Sequence, residues 1–316
     1  FKAQKYKKST SFKLHLPEFF KMKTFDLSKP LGQWSVLVLL AFIWGSSFIL
    51  MKRGLIAYSH DEVAALRLVI SFICFLPLIF KNLKKVHKKD LKYFFLVGLF
   101  GNGFPAFLFT KAETGISSSL AGMLNSLVPL FTILLGVVIF KISTNKLKLI
   151  GVFIGLIGAI TLLSSNGFNI KNDEFGFGIY VILATICYAI SVNTIKKYLQ
   201  NVSALIVSSF AFLFIGPPLV FYLFTTNFVE TTINNPLASN ALFYIAILSV
   251  FGTALSLVLF NLLVKHTTAV FASTVTYMIP IFAIFWGVID GETIHFLHFF
   301  GIAIILLGIY FVNKFK

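Results

Sequence analysis

SLAGMLNSLVPLFTILLG, residues 119–136, and VFASTVTYMIPIFAIFWG, residues 270–287, are two versions of one pattern within the same chain. Placed 151 positions apart, they align Pro129 with Pro280. Both versions are almost entirely apolar, and each is about as long as a helix that crosses a bilayer. The pair therefore predicts an internal repeat inside a membrane, an arrangement that is typical of transporters.

The repeat extends beyond these two stretches. At the same offset, Gly101 falls on Gly252. Nearer the beginning of each half the match is weaker, with WGSSF at 44–48 lying opposite YAISV at 188–192 at an offset of 144. These correspondences predict that the two halves of the chain share one helical architecture.

Composition supports a membrane protein and argues against a soluble one. The 316 residues are 58% hydrophobic and only 12% charged, with a mean hydropathy of +0.91. The formal net charge of +16 does not indicate nucleic-acid binding, because the lysines stand in short gaps between apolar runs. Cys74 and Cys187 both lie within such runs, so neither a disulfide nor a metal site is predicted, and no cofactor is expected.

Apolar stretches of about 20 residues, long enough to cross a bilayer as helices, occur ten times. The predicted spans are residues 33–52, 62–80, 91–110, 117–140, 147–165, 176–197, 203–225, 240–264, 269–288 and 295–313.

The distribution of positive charge predicts the orientation of these spans. Most of the 27 lysines and arginines lie in the N-terminal tail, the even-numbered connections and the C-terminus. The odd-numbered connections hold only Lys52, Arg53, Lys111 and Lys171. Because positive loops stay on the cytoplasmic side, both termini are predicted to be cytoplasmic and the chain to be a multi-pass protein of the inner cell membrane.

An odd number of spans in each half has a topological consequence. We assign residues 31–166 to a first five-span repeat and 174–316 to a second, so the two must enter the membrane from opposite sides. The fold class is therefore an all-α membrane protein of ten transmembrane helices in two inverted-topology repeats. Residues 1–30 are interpreted as a basic, disordered tail, with Met22 as the true start.

The order of several motifs resembles the EamA-like family of the drug/metabolite transporter superfamily. The resemblance rests on WGSSF in the first span, RLVIS in the second and the SSLAGMLNSLVP run of the fourth, and it covers about residues 33 to 314. It implies a ten-helix inverted-repeat carrier, usually an exporter of metabolites, amino acids or drugs. In such carriers the first, third, fourth, sixth, eighth and ninth helices line a central cavity.

Polar side chains inside apolar spans usually face the bundle interior or a water-filled cavity. The candidates below combine aromatic surface with neutral hydrogen-bonding groups, which suits an amphipathic or zwitterionic small molecule. Small Ser and Thr side chains serve close helix packing equally well. The candidate substrate-binding residues are Trp44, Ser46, Ser47, Asn102, Asn125, Tyr188, Ser191, Asn193, Thr276 and Tyr277.

Three prolines are candidate hinges or helix kinks. Pro105 closes the GNGFP run of the third span, which predicts either a substrate-contacting break or a packing kink. Pro129 and Pro280 each remove an intrahelical hydrogen bond at matching positions and should bend their helices. Their repetition favours a shared role, either as hinges or as fixed kinks.

Arg67 is the one cation well inside an apolar run, and its place in the first third of its span favours a structural or gating pair. Glu113 and Lys111, at the end of the third span, are candidate partners. GVFIGLIG at 151–158 and GIAIILLG at 301–308 carry glycine spacings that let helices approach closely, within one protomer or between two.

The predicted function is a secondary transporter that moves a small metabolite, amino acid or drug-like solute, with export as the expected direction. Its partners are that solute and membrane lipid, and the sequence leaves monomer and homodimer open. The alternatives are a facilitative channel or uniporter and, more remotely, an intramembrane enzyme. An enzyme is not predicted, because Asp290 has no second intramembrane carboxylate to work with and neither a P-loop nor an HExxH motif occurs.

Overall fold

The computed structural model describes residues 27–142, 146–163, 173–267 and 275–314, and all regular elements in these ranges are helical. The α-helices there are α1 (Pro30–Gly54), α2 (His60–Asn82), α3 (Leu91–Gly98), α4 (Phe104–Ala112), α5 (Ser118–Asn125), α6 (Val128–Val138), α7 (Lys146–Leu163), α8 (Asp173–Tyr198), α9 (Ala204–Leu223), α10 (Phe228–Asn234), α11 (Ala238–Ile247), α12 (Ser256–His266), α13 (Val275–Ile289) and α14 (Phe296–Lys314). Residues 1–26, most of the predicted basic tail, lie outside the described ranges.

Seven helical stretches are long and apolar enough to cross a membrane, and they coincide with seven of the predicted spans. The other three predicted spans coincide with shorter apolar helices at Leu149–Leu162, Val275–Ile289 and Phe296–Gly308. The described residues thus bear out a multi-span helical protein, while the count of ten and the orientation of the termini stay predictions.

Two of the spans contain a π-helical segment in matching places. Leu99–Gly103 joins α3 to α4, and Leu248–Leu255 joins α11 to α12. A π-helical turn holds one extra residue and frees backbone groups from the regular α-helical pattern, which is why such turns recur at functional positions. The first segment is the predicted irregularity at Asn102. The second has no proline and was not predicted.

The three predicted kink prolines differ in their surroundings. Pro105 stands at the start of α4, directly after the first π-helical segment. Pro129 stands at the start of α6, after the short break between α5 and α6. Pro280 lies inside α13, which continues as one helix from Val275 to Ile289. Proline is tolerated in a first turn because that N–H has no intrahelical partner.

Glycines bring α7 and α14 into close contact within the chain, one of the two alternatives left open by the sequence. A Cβ added at Gly158 would lie 2.8 Å from the carbonyl oxygen of Gly301, and one added at Gly308 would lie 2.5 Å from that of Gly151. Residue numbers rise along one helix as they fall along the other, so the two helices pack antiparallel.

A second pair of contacts repeats across the two halves. A Cβ at Gly101, in the first π-helical segment, would lie 2.5 Å from Oγ of Ser191 on α8. A Cβ at Gly252, in the second segment, would lie 2.8 Å from Oγ of Ser47 on α1. Each π-helical segment therefore packs through its glycine on a serine that belongs to the opposite half.

The buried core between α1, α5, α6 and α8 holds large apolar side chains such as Phe48, Leu124 and Leu130. Against this core, α5 and α13 run in opposite directions, since Ser119 lies near Glu292 and Gly122 lies near Ala283.

Candidate functional site

Arg67 lies deep between the helices on α2. Its Nε donates to Oγ1 of Thr253 at 2.9 Å, and its Nη1 lies 3.7 Å from Sδ of Met51. The side chain is surrounded by protein but remains partly accessible. A cation inside an apolar span is costly unless it is hydrated or paired, and Arg67 has a neutral hydroxyl as its hydrogen-bond partner.

Trp44 reaches across from α1 to the second π-helical segment. Its Nε1 donates to the carbonyl oxygen of Gly252 at 3.2 Å and to Oγ of Ser256 at 3.0 Å. Its ring lies 5.3 Å, centroid to centroid, from that of Phe260. The indole thus uses a carbonyl in the irregular segment as an acceptor, and it ties the two halves together.

The two serines beside Trp44 have different surroundings. Ser47 is buried, and its Oγ donates to the carbonyl oxygen of Ile43 at 3.0 Å. Ser46 is partly exposed and accepts a hydrogen bond of 2.7 Å from Nε1 of Trp286. Ser46 therefore belongs to the contact between α1 and α13, apart from the contact that Ser47 makes with Gly252.

Three polar side chains of α8 face the first half of the chain. The ring of Tyr188 lies 6.0 Å from that of Phe109, and Ser191 packs on the first π-helical segment. Nδ2 of Asn193 donates to the carbonyl oxygen of Thr132 at 2.9 Å and to that of Ala189 at 2.9 Å. Asn193 therefore has a structural role, because it links α6 to α8. Tyr188 remains partly accessible and lies near Arg67.

The remaining candidates are spread along the same interior. Asn102 is half-buried in the first π-helical segment, and Asn125 is buried at the end of α5. Thr276 and Tyr277 are half-buried at the beginning of α13, where Tyr277 packs against the central core. None of these four side chains is fully exposed.

Glu113, directly after α4, is a buried carboxylic acid, and only 8% of the residue is exposed. Neither carboxyl oxygen has a hydrogen-bond partner among the residues that the structure describes. The suggested pairing with Arg67 is therefore not made as a hydrogen bond. Lys111, the other candidate partner, has its Nζ 3.4 Å from Nε2 of His60. Burial raises the pKa of Glu113 well above its usual range, and Glu292 adds to the rise, while Lys52 and Arg67 oppose it.

A charged cluster that the sequence did not predict joins three parts of the chain at this end of the bundle. We call it the Glu292 cluster, and its members are Lys52, Arg53, Ser118, Ser119, Asp290 and Glu292. The basic residues end α1, the serines begin α5, and the acids follow α13. Because Glu292 and Lys52 are 240 positions apart, no local pattern connects them.

Glu292 is the centre of this cluster. Its Oε1 accepts from Nζ of Lys52 and from the backbone N–H of Ser118, both at 2.9 Å. Its Oε2 accepts from the backbone N–H and Oγ of Ser119, at 3.0 and 2.6 Å. A carboxylate at a helix N-terminus satisfies otherwise unpaired N–H groups and is favoured by the helix dipole. Burial alone would raise the pKa of Glu292, but these hydrogen bonds together hold it below the usual range.

Asp290 completes the contact with α1. Its Oδ2 lies 2.6 Å from Nζ of Lys52, and its Oδ1 accepts from Arg53. The chain then turns at Gly291, whose φ is +82°. The left-handed backbone there brings Glu292 back over the N-terminus of α5, and glycine adopts it without strain.

The opposite end of the bundle has the same arrangement with different chemistry. Nζ of Lys197, at the end of α8, donates to the carbonyl oxygen of Phe140 at 3.1 Å. At the offset of 144 Lys197 corresponds to Arg53, and at the offset of 151 Phe140 corresponds to Gly291, the residue after Asp290. A neutral carbonyl therefore replaces a carboxylate, and no acid corresponds to Glu292.

The two open grooves described on the surface lie away from these residues. One, of about 600 Å³, is lined by apolar side chains of α1 and α13, including Trp34 and Phe282. The other, of about 440 Å³, is polar and lies between Ser59 and Thr231. None of the predicted substrate-binding residues lines either groove. No group of His, Cys, Asp and Glu able to hold a metal occurs in the part of the chain described.

Comparison with known proteins agrees with this architecture. The model of the EamA-like transporter family matches residues 33–164 and again 177–314. An uncharacterized transporter of Archaeoglobus fulgidus is 26% identical over 283 residues, 89% of this chain and 99% of that protein. The uncharacterized inner membrane transporter YedA of Escherichia coli K12 is 23% identical over 89% of this chain and 90% of its own.

Other matches extend the comparison. The uncharacterized transporter YetK of Bacillus subtilis is 27% identical and covers 90% of this chain and 87% of its own. A crystal structure at 13% identity superposes with a TM-score of 0.61 over 90% of this chain and 98% of that one. At that identity, the superposition supports the fold alone.

Proposed function

The chain belongs to the EamA-like transporter family, and on this premise we propose that it is a secondary carrier of a small solute. The proposed solute is a metabolite, amino acid or drug-like molecule, and the proposed direction is export. Alternating access, in which the two halves exchange conformations around a central site, is the proposed mechanism. It is a membrane transporter and not an enzyme.

The paired contacts of the π-helical segments carry this proposal. Gly101 packs on Ser191, and Gly252 packs on Ser47, so each half holds the irregular segment of the other through the same kind of contact. In an alternating-access carrier one of two equivalent contacts can lengthen while the other shortens, and the fold of each half stays the same. A static pore has no need of such exchange.

Helix directions support the inverted arrangement. The equivalent helices α7 and α14 pack antiparallel through Gly158 and Gly308, and α5 runs opposite to α13. We therefore propose ten spans in two inverted repeats, with the three shorter apolar helices completing the set. The positive-inside rule then places the Glu292 cluster at the outer surface.

The interior chemistry favours a zwitterionic or amphipathic solute. Arg67 and Tyr188 keep accessible surface between the helices, and a guanidinium can hold a carboxylate through two parallel hydrogen bonds. Trp44 and Phe109 add aromatic surface nearby. The cell membrane is the proposed location, since the relative YedA is named an inner membrane transporter.

Counterflow in proteoliposomes tests the proposal. Vesicles loaded with unlabelled amino acids, nucleosides or cationic drugs should exchange at least one labelled solute of the same class, with saturation. W44A and R67A should lower the exchange rate by about tenfold, because each removes on the order of 1.4 kcal/mol of binding.

The matched controls are F153A and F296A, at side chains that are 67% and 80% exposed on the bundle surface. Both should exchange at the rate of the unsubstituted protein. Absence of saturable counterflow across the panel would contradict the carrier, and a continuous conductance in planar bilayers would favour a channel.

A further inference from the structure

We propose that Glu113 is a proton-binding site whose ionisation opens the Glu292 cluster, so that solute transport by this chain is coupled to proton movement. The proposal deepens the carrier function proposed above and rests on it for the coupling. The link between Glu113 and the cluster can be tested without any solute.

The position of Glu113 gives the first argument. Its side chain is buried, and both carboxyl oxygens lack hydrogen-bond partners within the described ranges. A carboxylate in such a place loses the solvation of its charge, and the backbone of Lys52 and the cations Lys52 and Arg67 do not make up for that loss. The protonated form is therefore the one that fits the structure as described. Burial accordingly raises the pKa of this group well above its usual range.

The surrounding charges give the second argument. Titratable or charged groups face this region from α1, α2, α8 and the segment after α13. They are Lys52, Arg53, Arg67, Tyr188, Asp290 and Glu292. Lys52 is shared: it is one of the cations near Glu113, and it also holds Asp290 at 2.6 Å and Glu292 at 2.9 Å.

Ionisation of Glu113 would weaken the ion pairs that Lys52 makes with Asp290 and Glu292. A new negative charge attracts Lys52 and Arg67 and repels Glu292. Lys52 would then be drawn away from the two acids that it now bridges, and the contact between α1 and the end of α13 would weaken. The closed cluster thus retains a proton on Glu113, and opening the cluster releases it.

A short chain connection links Glu113 to the Glu292 cluster. Glu113 and Ser118 belong to the same short connection between α4 and α5, and Ser118 donates its N–H to Glu292. The Oγ of Ser118 is itself buried without a hydrogen-bond partner in the part of the chain described. A movement of Glu113 toward a counter-ion is therefore transmitted directly to the N-terminus of α5.

Distance measurements between two spin labels test this step. In a C74A/C187A background, labels at T114C and T293C stand at exposed positions on either side of the cluster. The distance should show one short population at about pH 5 and a second, longer one by about pH 9, the range in which buried carboxyl groups titrate. E113Q should keep the short population throughout, and E113D should restore the pH dependence.

E292Q is the reference for an open cluster and should show the longer population already at low pH. A pH-dependent shift that persists unchanged in E113Q would overturn the proposal. So would a distance in the unsubstituted protein that stays short at every pH while E292Q lengthens it. Infrared absorption of a protonated carboxyl that disappears in E113Q is the second expected signature, and its presence in both proteins would count against the assignment.

Transport then tests the coupling. With any solute that passes the counterflow assay, a pH gradient should drive accumulation about tenfold or more in the unsubstituted protein. E113Q, whose cluster stays closed, should lose the gradient-driven accumulation, and whatever counterflow it retains should no longer vary with pH. Counterflow without gradient-driven accumulation in the unsubstituted protein would overturn the proton coupling and leave the carrier in place. Absence of counterflow would instead contradict the carrier, whatever the spin labels show.

Discussion

The two ends of the bundle are built from the same repeated pattern but are fastened by different forces. At one end, Lys52 and Arg53 of α1 meet two carboxylates after α13. At the other, Lys197 of α8 meets only the backbone carbonyl of Phe140 after α6. Both contacts use a charged lysine, but only the first end adds the attraction between opposite charges. The Glu292 end is therefore held together more strongly than the Lys197 end, although both are built from the repeated helices.

Removing the central carboxylate should have the largest effect on this difference. E292Q leaves Lys52 without one of its two acids and weakens the capping of α5, and it should lower the unfolding free energy by about 3 kcal/mol. Thermal unfolding in detergent measures the loss. E230Q is the matched control, because Glu230 is exposed on α10, and it should leave the melting temperature unchanged.

The effect of E292Q should also depend on pH. The pKa of Glu292 is held below its usual value of 4.5, so its contribution is complete above that value and is lost as the pH falls through the lower, folded-state pKa. The difference between E292Q and the unsubstituted protein should therefore shrink in strong acid. A difference that stays constant would show that Glu292 acts by shape and not by charge.

The equivalent glycine contacts should respond alike, in contrast to the two ends. G101A and G252A each place a methyl group within 2.5 to 2.8 Å of a serine Oγ, and each should lower the unfolding free energy by about 2 kcal/mol through overpacking. S191G and S47G, combined with the matching substitution, should recover part of the loss. A large loss for only one of the two would break the proposed equivalence of the halves.

A feature could be predicted from the sequence when its residues recur at a fixed offset, and not when it depends on contacts between distant positions. The repeat was visible because close crossings need small residues and kinks use proline, and both kinds recur at fixed offsets, as at Gly101 and Gly252. The Glu292 cluster was not visible, because its ion pairs join positions 237 and 240 residues apart in short connections. Such pairs leave no periodic signal.

The interior polar residues could be predicted only in part. Arg67 was recognised as unusual from its apolar surroundings, yet its partner Thr253 lies 186 positions away and could not be named. The irregular helix at Asn102 was predicted from two glycines and a proline. Its counterpart at Leu248–Leu255 lacks the proline, so only the repeat offset could have revealed it.

The pH dependence of stability should reverse its sign between the two acids at this end. The pKa of Glu113 is raised, so its burial lowers stability progressively as the pH rises from its unfolded value of about 4.5 through the folded-state pKa. E113Q should therefore gain stability relative to the unsubstituted protein toward alkaline pH, whereas E292Q loses most near neutral pH. Denaturation of both variants at a series of pH values makes the comparison, and parallel curves would refute it.

The smallest expected effect concerns how α6 and α13 end. Lys141 and Gly291 lie 150 positions apart, and both have positive φ, 55° and 82°. A side chain in that conformation is disfavoured by about 1 kcal/mol, whereas glycine is not. K141G should therefore raise the unfolding free energy by about 0.5 kcal/mol, after the entropy lost by glycine is subtracted, and G291A should lower it by about 1 kcal/mol. K141A is the matched control, because it removes the charge but keeps the Cβ. If K141A stabilises as much as K141G, the lysine charge and not the backbone conformation sets the difference between the ends.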